Sequence, residues 1–354
     1  MRVWTLAGMA FLAVAATPAA ALTVQTRADL DGTLAATRFT GVGSLGYVWS
    51  GGVDHACTAS LIGASVGITA AHCINSDPDY RFVLPAAGDA SRLGTFDQFV
   101  VDSWAVVPNY ATGKDTDLAL FRFDGVASGH DIYDIFTGNT ELGSTITVVG
   151  AGMAGTLDTG ARWSDTDHRL RYGYNKYEFD GRQFDNAYAD LFGYDRGDPP
   201  AEDILLMDYD SGLAVNDVFG RYLGVVDTGV VIDGVLREVG FTYGDSGGPD
   251  FIDGKIAGIH SFGFSGNIFE DNQSCGRPGN VDGGRSDDEF KCYDDSWGDV
   301  GGSVRVSYYQ DFIRGFLGVV PEPSTWIMMI GGFALIAGQL RRRRPVPAKA
   351  PVKI

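Results

Sequence analysis

The chain has 354 residues, with 27 Lys or Arg against 45 Asp or Glu and a formal net charge of −18. A surface this acidic repels nucleic acid and acidic polysaccharide and favours solubility, which excludes a nucleic-acid partner but says nothing about fold. The length allows two domains, although β-rich folds of this size often form one unit.

Residues 1–21 read as a secretory signal. Arg2 gives a small positive start, an apolar run from Trp4 to about Ala16 follows, and Ala19-Ala20-Ala21 ends in the small-x-small pattern that a signal peptidase cuts, here before Leu22. The run is too short to cross a hydrocarbon core of roughly 30 Å. Residues 22–39 form an N-terminal segment that can serve as a propeptide. Beyond it, short apolar or alternating runs recur at Leu45 to Trp49, Ala59 to Ala70, Gln98 to Val107, Leu118 to Phe123, Ser144 to Gly150, Leu223 to Val231, Lys255 to Phe264 and Ser303 to Tyr309. Gly, Asp, Asn and Pro clusters separate them, which argues an all-β sandwich or barrel. Tyr308 to Leu317 is the one good late helix. Residues of about 154–238 and 265–300, rich in Asp and Gly, are expected as surface insertions, loops or extra hairpins.

Cys57, Cys73, Cys275 and Cys292 are the four cysteines. After an export signal they read as two disulfides, with three connectivities open and neighbour pairing the simplest. A Cys57 to Cys73 bridge would fix the position of His72 beside it. No C-x-x-C occurs, which disfavours zinc and thioredoxin-like chemistry.

Three short stretches carry chemistry. His72 stands one residue before the end of "LIGASVGITAAHC" and is a side chain able to act as a base near neutral pH. Asp117 abuts the apolar run Leu118 to Phe121, where a carboxylate can be shielded from water and orient an imidazole; Asp115 is the competing acid. Gly244-Asp245-Ser246-Gly247-Gly248-Pro249 packs glycines into a strand-like stretch and also satisfies the G-x-S-x-G elbow of α/β-hydrolases. That fold needs Ser, then acid, then His along the chain. The only later histidine here is His260, fourteen residues on, so the elbow match is coincidental.

Read together and in this order, Thr69 to Cys73, Asp117 to Leu120 and Gly244 to Pro249 resemble the trypsin and chymotrypsin family of serine endopeptidases (peptidase family S1). The resemblance implies a trypsin-like domain over 40–319, built of two packed six-stranded antiparallel β-barrels, about 40–140 and 141–317, with a short C-terminal helix. It implies a catalytic His72, Asp117 and Ser246, an oxyanion hole from the N–H groups of Gly244 and Ser246, and a substrate rail at Ser261, Phe262 and Gly263. It also implies an ion pair between Asp245 and a newly freed α-amino group. Leu22, or Phe39 after a cut at Arg38, can supply that group. Gly240 stands at the base of the expected specificity pocket, where trypsin-like members carry Asp. A preference for Lys or Arg is therefore not expected, although Glu238 could reach the pocket through a shifted loop. Thr242 occupies a position of the usual pocket disulfide, leaving Cys275 to pair with Cys292.

At the other end, Val320-Pro321-Glu322-Pro323-Ser324 precedes an apolar stretch Trp326 to Leu340 and then Arg341 to Arg344. Four arginines directly after an apolar span hold that end in the cytoplasm. This pattern over 320–344 resembles the PEP-CTERM sorting signal of Gram-negative bacteria. It implies transient membrane insertion through 326–340 and removal by an exosortase-type enzyme, with a permanent transmembrane helix as the alternative. Residues 345–354 would be a cytoplasmic tail. The mature chain would reside in the periplasm, at the cell surface or outside the cell. Outside 22–319 lie seven basic residues and one acidic one, which leaves 20 basic against 44 acidic in the exported part.

The expected function is an exported serine endopeptidase acting on protein or peptide substrates. The alternative is a silent protease-like binding or matrix protein. No cofactor or metal is expected. The acidic run 281–295 lacks EF-hand spacing and reads as a solvated loop, and the close acids of "LLMDYDSG", 205–212, have no role derivable from sequence.

Overall fold

A computed structural model describes residues 22–25, 38–49, 52–85, 96–108, 117–162, 169–192, 202–266 and 295–318. The signal segment 1–21, Asp115, Cys275, Cys292, the acidic run up to residue 294 and the apolar span 326–340 lie outside them. Among the described residues no helix is long and apolar enough to cross a membrane. The chain divides into two units, 1–310 and 311–354.

In the first unit β1 (Leu22–Val24) precedes a closed barrel of six strands, β2 (Val42–Trp49), β3 (Gly52–Gly63), β4 (Val66–Thr69), β5 (Tyr80–Pro85), β6 (Phe96–Val106) and β7 (Ala119–Phe123). Their order around the barrel is β2-β3-β4-β7-β6-β5. Inward-facing Leu45, Leu61, Ile68, Phe82, Leu84 and Phe121 are fully buried, and Phe82 meets Phe121 edge-on at 5.3 Å. Strand alternation places these apolar side chains on one face, and burying each contributes roughly 1.5–3 kcal/mol.

The second half follows as β8 (Thr145–Gly150), β9 (Ala154–Thr156), β10 (Gly160–Arg162), β11 (Arg171–Lys176), β12 (Phe179–Asp180), helix α1 (Gly181–Phe192), β13 (Ile204–Asp208) and helix α2 (Val218–Leu223). A small hairpin, β14 (Val231–Ile232) with β15 (Val235–Leu236), leads to β16 (Pro249–Ile252), β17 (Lys255–Ser265) and β18 (Asp299–Arg305). The second barrel expected from the sequence is instead an open seven-stranded sheet, ordered β11-β8-β16-β17-β18-β13-β12. At one end β12 is only two residues long and passes directly into α1, so the chain leaves the sheet before it can close. At the other end β11 is covered by a single bridge, Tyr174 to Glu238, rather than by a ladder.

The stretch 154–238 is not a set of surface loops. It supplies β11, β12 and β13 to the sheet, and every residue of Ile204–Asp208 is buried. Leu205, Met207 and Tyr209 pack with Leu22, Val24, Ile146, Val148 and Phe241 in the core of this half. Helix α1 was also not expected. Asp180 and Gln183 cap it reciprocally, Gln183 N–H donating to Asp180 Oδ1 at 2.7 Å and Asp180 N–H to Gln183 Oε1 at 3.2 Å. Helix α3 (Gln310–Leu317), in the second unit from Asp311 on, carries Arg314 Nη1 3.9 Å from Asp311 Oδ1.

Candidate active site

β4 ends at Thr69, Ala70 is extended, and Ala71–Cys73 forms one turn of 3₁₀ helix. This short turn lifts His72 out of the barrel wall while Ala71 and Cys73 stay buried. The Cys57–Cys73 disulfide, with Cα atoms 5.9 Å apart, ties the turn to β3. Asp117 sits at the mouth of β7, next to fully buried Leu118.

The Asp117 carboxylate holds His72 twice. The main-chain N–H of His72 donates to Asp117 Oδ1 at 2.8 Å, and His72 Nδ1 lies 2.5 Å from Oδ2. Because Oδ2 is an acceptor, this contact places the imidazole proton on Nδ1 and leaves Nε2 as the basic nitrogen. The Ser261 hydroxyl, from β17, also donates to Oδ2 at 2.6 Å. Burial works against the charge of Asp117, but the bonds from His72 and Ser261 outweigh it and hold the carboxyl below its usual range. The imidazole is 38% exposed and the carboxylate 16%, so the pair opens to solvent on the His72 side.

Ser246 is half-buried and reaches the same place through its main chain. Its carbonyl accepts from Thr58 N–H at 2.8 Å and lies 3.5 Å from Cys73 Sγ, one residue from His72. Among the described residues no hydrogen bond runs from the Ser246 hydroxyl to His72; such contacts are often loose without substrate. In the turn before it, Gly244 adopts φ +90°, which an L side chain would make strained. The Gly244 carbonyl is pinned by His55 Nε2 at 2.7 Å and by the Thr58 hydroxyl at 3.0 Å. The N–H groups of Asp245, Gly247 and Gly248 are committed to Thr242, His260 and Asp245 carbonyls. Those of Gly244 and Ser246 make no hydrogen bond among the described residues, although Gly244 is buried. A buried N–H without an acceptor is rare in a folded chain, which leaves the Gly244 donor available to an incoming acceptor.

Asp245 is fully buried, with Oδ1 accepting from Gly152 N–H at 2.7 Å and Oδ2 from Thr242 N–H at 2.8 Å. Burial pushes its pKa up to about 6, against the opposing pull of these amides and of His260 and Arg171. Behind the turn lies a network that sequence reasoning missed. Buried His260 contacts Asp250 Oδ1 at 2.8 Å and the Asp245 carbonyl at 3.1 Å, while Tyr177 and Ser303 hydroxyls donate to Asp250 Oδ2 at 2.6 Å each. Burial disfavours charge on His260, yet Asp250 and Asp245 prevail and raise its pKa. The signal available in sequence was His260 itself, ten residues after Asp250 across the β16–β17 hairpin.

Gly240 is closely packed. A Cβ there would sit 2.5 Å from the Tyr209 ring and 2.8 Å from Thr23 Oγ1. Glu238 does not turn toward the site either: it is buried, and its Oε2 accepts from Val230 N–H at 2.8 Å. Ser261, Phe262 and Gly263 lie on β17, which is paired on one side with β18. Its partner on the other side, β16, ends at the Pro249–Ile259 pair, so among the described residues no strand pairs with 261–263 on that edge.

A barrel and a half-barrel, with a His–Asp pair from one and a serine in a glycine turn from the other, define the class of trypsin-like serine-protease folds. The comparisons agree. The Trypsin family model matches residues 42–174, and the PEP-CTERM protein-sorting motif matches residues 319–344. Among solved structures, mouse neuropsin, described as a serine protease expressed in the limbic system of the brain, superposes with a TM-score of 0.51 at 16% identity. The match covers 80% of this chain and 96% of that one. No curated protein sequence matches. The chain thus has a trypsin-like fold, is similar to the Trypsin family over 42–174, and matches a protein-sorting motif at 319–344.

Proposed function

We propose that the chain is an exported serine endopeptidase in which His72, Asp117 and Ser246 act as the catalytic triad. The observation that carries this reading is the doubly held His72–Asp117 pair together with the two uncommitted N–H groups that flank Ser246. His72 Nε2 takes the proton of the Ser246 hydroxyl as Oγ attacks the scissile carbonyl. The oxyanion is met by the Gly244 and Ser246 N–H groups, each such donor worth roughly 3–4 kcal/mol. His72 then gives the proton to the leaving amine, leaving an acyl-ester on Ser246 that water hydrolyses with His72 again as base. Asp117 keeps the Nδ1–H tautomer and stabilises the imidazolium. An extended peptide adds as a strand to the edge at Ser261–Gly263.

In this reading Asp245 pairs with the α-amino group of Leu22. β1 runs parallel to β9 with Leu22 opposite Ala154, and Thr23 exchanges both main-chain bonds with Gly240. Followed toward the N-terminus, these registers lead to Met153 and Gly152 on one side and to Phe241 and Thr242 on the other. Gly152 and Thr242 are the residues whose amides hold the Asp245 carboxylate. Cleavage after Ala21 would free an amine aimed at that carboxylate. The alternative start, Phe39, stacks on Phe251 at 5.3 Å beside Tyr172 and donates nothing toward Asp245. The PEP-CTERM segment would carry the enzyme to an exosortase-type partner.

Purified chain beginning at Leu22 should hydrolyse an unfolded protein substrate, and Ser246→Ala should abolish this while leaving the fold intact. Full activity of Ser246→Ala would overturn the assignment. A folded wild-type chain without turnover would favour the silent binding protein.

A further inference from the structure

Asp208 and Asp210, the two acids without a role in the sequence, are buried to 1% and 2% exposure, and Glu178 closes on them from the link between β11 and β12. An oxygen from each of the three lies within 4.8 Å of the others. Glu178 Oε1, Asp208 Oδ1 and Asp210 Oδ1 are out of contact with solvent and, among the described residues, accept no hydrogen bond. The second oxygen of Asp208 is fixed by the N–H groups of Val218 and Phe219, at 2.6 and 3.2 Å. The free oxygen of Asp208 is therefore held in place with nothing to bind.

The surroundings deepen the deficit of positive charge. Asp217 caps α2, accepting from Gly220 N–H, and Asp227 is taken by Lys176 Nζ at 2.5 Å. Glu238 faces Asp208 and Asp227. Six carboxylates thus face one another, and the Lys176 ammonium beside them is already paired with Asp227. Burial and mutual repulsion push Asp210 up to about 11 and raise Glu178, Asp208 and Glu238 as well.

Leaving such charges dry and unpaired costs several kcal/mol each. Protons or a cation can relieve it. One shared proton joins two carboxylates and leaves the third oxygen orphaned, whereas one divalent cation satisfies all three. Oxygens bound to one calcium at 2.3–2.6 Å are at most about 5 Å apart, the spacing seen here. The donor set holds no nitrogen or sulfur, which disfavours zinc and copper. The burial of these oxygens away from solvent disfavours magnesium, which keeps several waters. We propose that Glu178, Asp208 and Asp210 form a calcium site, with Glu238 adding charge from behind.

The site lies under the segment that leads to Ser246. Asp208 precedes Tyr209, whose ring abuts Gly240 and whose hydroxyl donates to the Phe241 carbonyl at 3.0 Å. Calcium there would brace 238–241 and through it the Gly244 turn.

The test uses the chain from Leu22, stripped with a chelator and titrated with CaCl₂ at neutral pH by calorimetry and by terbium luminescence, for which Tyr177 and Tyr209 are adjacent antennae. Wild type should bind with a dissociation constant of millimolar or below, as extracellular calcium modules do, and its Tm should rise with calcium. Asp210→Asn and Glu178→Gln should each weaken one site by about 10-fold or more, which separates it from any binding by the acidic run 281–295. No calcium binding by the folded wild type would overturn the proposal. So would unchanged affinity in both variants, or a Tm that responds to acidification alone.

Discussion

The Asp117 carboxylate accepts from both the main chain and the imidazole of His72, so one side chain fixes the position of the histidine and the tautomer of its ring. Asp117→Asn would keep the shape but offer an N–H to Nδ1, favouring the wrong tautomer. At neutral pH kcat/KM is expected to fall about 10⁴-fold with little change in Tm. Ser261→Ala removes one of the bonds that keep Asp117 ionised. It should lower kcat/KM only about threefold to tenfold and move the acid limb of the pH profile upward.

The Leu22 amine gives a prediction with a definite sign. Asp245 has a pKa raised to about 6 in the folded chain, above that of an ordinary unfolded Asp. The folded state therefore binds more protons between about pH 4 and 6, and stability falls as pH rises through that window. An α-amino cation beside Asp245 would lower its pKa and remove its share of the fall, leaving that of the other buried carboxylates. Chain starting at Leu22 should show a shallower decline there and full activity. Chain extended by one residue before Leu22 should show a steeper decline and at least a 10-fold lower kcat/KM. Equal profiles and rates would count against Leu22 as the partner.

Gly240→Asp would not confer cleavage after Lys or Arg. The new side chain collides with Tyr209 and Thr23, whose contacts leave no cavity for it. The expected result is a loss of about 3 kcal/mol or more from a strained, unpaired buried carboxylate, read by urea unfolding. A folded variant that cleaves after basic residues would show that the pocket base is open.

His260 and Asp250 are both fully buried, so removing one partner strands the other. His260→Ala should cost about 3–5 kcal/mol in unfolding free energy. In wild type the folded pKa of His260 is raised, so its contribution is full below the unfolded histidine pKa of about 6.5 and is lost as pH rises through the folded value. The variant should lack that part of the pH dependence.

Much of the half that holds the candidate His72–Asp117 pair was legible because these residues sit at fixed places beside regular elements. His72 follows a buried β4, Asp117 precedes β7, and the Cys57–Cys73 disulfide ties the turn that carries His72 to β3. What was hidden depends on long-range packing. The β13 residues Ile204–Asp208 read as part of an acidic insertion because their flanks are Asp-rich, yet five consecutive buried residues make them an interior strand. The Asp180–Gln183 capping box was a local signal for α1 that a search for long apolar stripes passes over. The Asp208–Asp210–Glu178 cluster assembles across some thirty residues through sheet pairing, which no spacing rule announces. The open second sheet also follows from tertiary structure, because β12 is cut short by the helix it feeds.

The most direct measurement is reaction of the chain beginning at Leu22 with a fluorophosphonate, followed by intact-mass and peptide mass spectrometry. A competent site predicts one covalent phosphonyl group on Ser246, with labelling lost on denaturation and slowed at least about 10³-fold in His72→Ala. Folded chain that remains unlabelled, or is labelled equally fast without His72, would contradict a His72-activated serine.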